Sequence, residues 1–89
     1  MDSLDYLLSK IDQSQTETGK TIIWVKMSPV DWQRILKVSR SDKRLFISTK
    51  IDDLKLGVVG MIVNKGIYLQ ASRDIPEEQI EFSYHETSN

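Results

Sequence analysis

Eighty-nine residues, 26 of them Leu, Ile, Val or Phe, leave room for one compact folded domain and not for two. Twelve Lys and Arg against thirteen Asp and Glu give a net charge of −1, which argues against a chain held to nucleic acid by bulk charge. The absence of cysteine and the single histidine, His85, exclude disulfides, thiolate metal sites, a cysteine nucleophile and a multi-histidine zinc site. Leu4, Leu7, Leu8 and Ile11 fall at i, i+3, i+4 and i+7, which predicts a helix over residues 1–12 with Asp2 or Ser3 as its cap. The apolar pattern then stops. Residues 13–20 read as a solvated connector, so the first helix is expected to be separable and to dock on its own domain or on a neighbour.

An α+β core is expected over residues 21–84. Thr21–Met27 is rich in β-branched residues, with Ile23, Val25 and Met27 alternating against Ile22, Trp24 and Lys26. Apolar residues on both faces predict an inner strand. Ser28-Pro29-Val30-Asp31 is a strong helix start: Ser28 suits the cap, Pro29 the first turn and Asp31 a capping box. Trp32, Ile35 and Leu36 supply the buried side of that helix, which should end near Val38 to Arg40. Arg44–Lys50 reads as a second strand with Leu45, Ile47 and Thr49 facing one way, and Ile51–Leu56 as a connector. Gly57–Val63 is a third strand whose glycines signal bends or close packing. Asn64-Lys65-Gly66 suits a three-residue hairpin loop with Gly66 left-handed, and Ile67, Leu69 and Ala71 alternate along the return strand. A single turn at Pro76–Gln79 leads to a last strand carrying Ile80, Phe82 and Tyr84, and residues 85–89 form a polar tail. The order α-β-α-β-β-β-β predicts an α+β fold: a small, mainly antiparallel sheet with one central capped helix and an N-terminal helix.

Little in the chain suits catalysis. Asp52-Asp53 and Glu77-Glu78 are adjacent carboxylates that point different ways and read as surface acids. His85 has no Ser or Cys pattern to serve, and strands flank Gly57, Gly60 and Gly66 where a dinucleotide fingerprint needs a helix. No metal or organic cofactor is expected. Apolar runs of four residues or fewer and a start at Met1-Asp2-Ser3 predict neither a membrane span nor a signal peptide. The most function-like cluster is Arg34, Lys37, Arg40, Lys43 and Arg44, with only Asp42 among them. It reads either as an acid-seeking contact surface or as an ordinary basic helix end running into a solvated loop. No aromatic platform for stacking nucleobases is evident beside it. Trp24 and Trp32 suit core anchors, but an outward Trp24 beside Ile22 would mark a partner surface.

Met27-Ser28-Pro29-Val30-Asp31-Trp32 leads into Gly57, Gly60 and Ile62, then Gly66, Leu69 and Ser72, then Ile75-Pro76. In that order, over about residues 21–82, the chain resembles the axial domain of tailed-bacteriophage major capsid proteins of the Hong Kong 97 type. Three residues separate Ile62 from Gly66, where that family usually has one. The resemblance implies a non-enzymatic structural or assembly protein that works by protein–protein contacts, self-association included, in a virion or the host cytoplasm. It carries over no catalytic residues. The alternative is a small soluble regulator or inhibitor that binds a host protein through the basic helix end.

Overall fold

The computed structural model describes residues 3–85. Helix α1 (Leu4–Thr18) is followed by β1 (Ile22–Met27), α2 (Pro29–Ser39), β2 (Leu45–Ile47), a short α3 (Ile51–Lys55), β3 (Val58–Ile62), β4 (Ile67–Ala71) and β5 (Ile80–Tyr84). The five strands form one sheet in the order β2-β3-β4-β1-β5. Only β1 and β4 run parallel; every other neighbouring pair is antiparallel. The α+β architecture and the inner position of β1 match the expectation.

Helices α1 and α2 lie on one face. Leu4, Leu7 and Ile11 of α1 and Trp32, Ile35 and Leu36 of α2 share a core with Val25, Met27, Leu45, Ile62, Ile67 and Leu69 of the sheet. That apolar contact is what holds the layers together. Gly60 shows how closely they meet: a Cβ there would stand 2.5 Å from the Phe46 carbonyl oxygen and 3.0 Å from the Trp32 ring. The glycine lets the indole lie on the sheet.

Helix α2 begins as its sequence requires. The Ser28 Oγ accepts the Asp31 N–H at 3.1 Å and donates to Asp31 Oδ2 at 3.0 Å. Asp31 is fully buried, and Oδ2 also accepts the backbone N–H of Glu78 at 2.9 Å. One carboxylate thus fastens the helix start to the Pro76–Gln79 turn, which closes through a Gln79 N–H to Pro76 carbonyl bond of 3.2 Å. Glu78 sits there at φ 68, the left-handed region a non-glycine residue rarely adopts.

Four expectations are corrected. The segment 13–20 is no connector, because α1 continues to Thr18 and stops only at Gly19, whose φ of 68 suits a left-handed cap. A Gln13–Glu17 side-chain bond supports the extra turns, and Gln15 and Ser14 tie them to Ile22 and Tyr84. Periodicity misses such turns because they are polar. Secondly, Ile22 joins Val25 and Met27 in the core, while Ile23 is exposed. A register irregularity between Ile22 and Trp24, opposite Tyr84 and Ser83, reverses the alternation there. Thirdly, β2 is only three residues long, and part of the presumed connector after it coils into α3. Fourthly, the β3–β4 loop spans four residues, because Ile62 pairs with Ile67 and leaves Val63 outside the strands. Gly66 is left-handed as expected, at φ 65. Of the polar tail, residues 86–89 lie outside the described residues; the His85 N–H bonds to the Thr21 carbonyl at 2.7 Å.

Candidate interaction surface

The structure divides the basic run between two roles. Arg34 reaches Asp31 at 3.4 Å, Glu77 at 3.6 Å and Glu78, so it braces the turn at 76–79. The Arg44 guanidinium grips Asp42 with Nε at 3.0 Å from Oδ1 and a terminal nitrogen at 2.6 Å from Oδ2, and it contacts Asp5 of α1 at 2.9 Å. These side-chain hydrogen bonds, and one from the Arg44 backbone N–H, hold the Asp42 carboxyl well down, at about 2. The Asp42 and Asp5 carboxylates likewise hold the Arg44 guanidinium above its ordinary pKa. Arg34 and Arg44 are thus ion-paired within the chain. Lys37, Arg40 and Lys43 are exposed and have no ion-pair partner among the described residues, leaving three basic side chains at the end of α2.

The larger feature is on the other side of the sheet. Phe46 of β2 stands opposite Met61 of β3, Met61 opposite Tyr68 of β4, and Tyr68 opposite Trp24 of β1. Four strands thus place three aromatic rings and a thioether in one row on the face that α1 and α2 leave open. Phe46 is 49% exposed and Tyr68 46%, while Met61 and Trp24 are half-buried. The Trp24 and Tyr68 rings lie 5.3 Å apart at 39°, and the indole N–H donates to Gln70 Oε1 at 2.7 Å. That bond fixes the indole against the sheet. Trp24 does face outward, but its neighbour is Tyr68 and not Ile22, which the irregularity in β1 turns into the core.

At the β2 end of the row a cavity of about 210 Å³ is lined by Phe46, Ser48, Lys50, Asp53, Val58, Gly60, Met61 and Tyr68. That is below the roughly 300 Å³ at which small-molecule sites usually begin. Asp53 accepts the Ser48 hydroxyl at 2.8 Å, so this half-buried acid is engaged in holding α3 to the strand end. Ile51, Leu54 and Leu56 beside it are exposed. Among the described residues no three His, Cys, Asp or Glu side chains come together in a way that would hold a metal ion, and no helix is long and apolar enough to cross a membrane.

Sequence reasoning singled out Trp24 but missed Phe46, Met61 and Tyr68, and with them the aromatic platform. Each is the apolar residue at an outward position of its strand, between inward neighbours such as Leu45 and Ile47, or Ile67 and Leu69. That signal is readable strand by strand. What joins the four is strand order, which no local pattern carries. Neither a family model, nor a curated protein, nor a solved structure matches the chain.

Proposed function

We propose that this protein is a non-enzymatic assembly subunit of the tailed-phage kind its sequence resembles, working through contacts between copies of itself. The observation that carries the reading is the row Phe46–Met61–Tyr68–Trp24 on the open face of the sheet. A sheet with helices on one face and a contiguous apolar row on the other gains by burying that row, and sheet-on-sheet packing is the ordinary way to do so. Charge does not oppose a second copy: the net charge is −1, and Lys26 lies opposite Glu81 on the same sheet. Aromatic anchors of this kind dominate the energetics of protein interfaces.

The competing reading, a regulator seated on an acidic host surface, needs Lys37, Arg40 and Lys43 instead. Sedimentation over a wide concentration range separates the two with a pair of double variants. Phe46→Ser with Tyr68→Ser should remove the open-face contact and lower the mass of the largest species formed, while Arg40→Glu with Lys43→Glu should leave assembly and folding unchanged. Assembly that survives the first pair and is lost with the second would overturn the open-face reading.

A further inference from the structure

We infer that β5 is a pairing edge, through which two copies of the chain join antiparallel about a two-fold axis into one ten-stranded sheet. The inference rests on the assembly reading and names the contact that begins it. The two edges of the sheet differ. Strand β2 is three residues long and only three residues separate it from α3, whose Asp53 accepts the Ser48 hydroxyl, so that edge is short and partly closed by the helix. Strand β5 is five residues long, and beyond it no strand lies among the described residues. Natural sheets blunt an exposed edge with lysine, proline, a bulge or a covering loop. Ile80-Glu81-Phe82-Ser83-Tyr84 contains no Lys or Pro, and its register irregularity with β1 arises from an extra residue on β1.

The direction of the backbone groups is settled by the bonds around the strand. The His85 N–H points inward to Thr21, and Met27 turns its carbonyl the other way, toward Ser72 beyond β4, which leaves Lys26 and Trp24 directed at β5. Backbone groups alternate along a strand, so Glu81 and Ser83 bond to β1 while Ile80, Phe82 and Tyr84 present N–H and C=O outward. The side chains of those same three residues are on the core face, and all three are only half-buried, because the helices cover the edge incompletely. A strand added here would satisfy the amides and complete the burial together.

The pattern of residues selects its occupant. With the two-fold axis at Phe82, Phe82 meets its own copy, Ile80 meets Tyr84, and Glu81 meets Ser83, so all three outward residues of both strands are used. Centring on Glu81 would set two carboxylates face to face, which is unfavourable. The segment is thus complementary to itself, as a two-fold interface requires. Joined in this way, the two open faces become one surface carrying both Phe46–Trp24 rows.

Ser83 is exposed and lies on the open face, so substitutions there test the contact without entering the core. Sedimentation equilibrium of the full chain should show a concentration-dependent dimer. Ser83→Glu should weaken it and Ser83→Lys strengthen it, each by about 2- to 30-fold, because each change acts twice across the axis, opposite Glu81. Hydrogen exchange at rising protein concentration should slow at the amides of Ile80, Phe82 and Tyr84, and not at those of Glu81 and Ser83. A dimer that responds alike to both substitutions, or a chain monomeric at every concentration with those three amides unprotected, would overturn the inference. If larger species still form through Phe46 and Tyr68 while the β5 amides stay unprotected, the edge contact fails and the assembly reading stands.

Discussion

Ser28 and Asp31 satisfy each other in a buried corner, and the consequences of disturbing them follow from the bonds they make. Ser28→Ala removes both an acceptor for the Asp31 N–H and a donor to its buried carboxylate. The expected cost is about 2 kcal/mol, the upper part of the range for a helix cap, read as a lower urea midpoint at unchanged slope. Gly60→Ala should be at least as damaging, at about 2–3 kcal/mol, because the new methyl meets the Phe46 carbonyl, which is backbone and cannot swing aside. A thermal melt within a degree of the parent would show that β2 moves freely from β3. The Asp42–Arg44 pair offers a titration in place of a melt. Asp42 has an ordinary value of 3.8 and is held at about 2 in the folded chain, with the Arg44 side-chain bonds the leading cause. The folded state therefore binds this proton less readily than the unfolded chain. Its contribution to stability is present above 3.8 and disappears as the pH falls through about 2. Carboxyl carbon shifts followed by NMR should place the Asp42 midpoint near the lower value, and Arg44→Ala should return it toward the upper.

Among the elements, α1 changes most in meaning between sequence and structure. It docks on its own sheet, and Leu4, Leu7 and Ile11 are each fully buried there. At about 2 kcal/mol for each such side chain, removing the helix forfeits roughly 6 kcal/mol, close to the whole stability of a domain this size. Deleting residues 1–18 should therefore yield a chain without native proton NMR dispersion; a well-dispersed spectrum would mean that β1–β5 fold without it. What could be read from the sequence was local. The Ser28–Asp31 helix start, the alternation of β4 and β5 and the left-handed Gly66 each depend on a few adjacent residues, and the structure has all three. The last two turns of α1 escaped because a solvated helix carries no apolar period. The inward turn of Ile22 escaped because one extra residue in a strand reverses every side chain before it. The candidate surface was half-visible, as Trp24 alone, since Phe46 and Tyr68 become its neighbours only through strand order.

For the molecule as a whole, the central fact is the position of β1. The strand formed early in the chain lies between β4, its parallel neighbour, and β5, so both of its partners come from residues 67–84. The β3–β4 hairpin, by contrast, needs only a four-residue loop. Local pairing is entropically cheaper than distant pairing, so the hairpin should form in the folding transition state and β1 and β5 should close afterwards. Stopped-flow kinetics should then show Ile62→Val acting mainly on the folding rate and Phe82→Leu mainly on unfolding. The reverse assignment would place the nucleus at β1. This ordering has a meaning for a chain still being synthesised. As the polypeptide leaves the ribosome, Ile22–Met27 emerges long before either strand that will flank it, and a nascent chain halted short of residue 80 has a middle strand with one side bare. The time of greatest exposure to proteases and chaperones therefore ends only when the last strand has emerged and docked, and slowing the ribosome before that point should lengthen it.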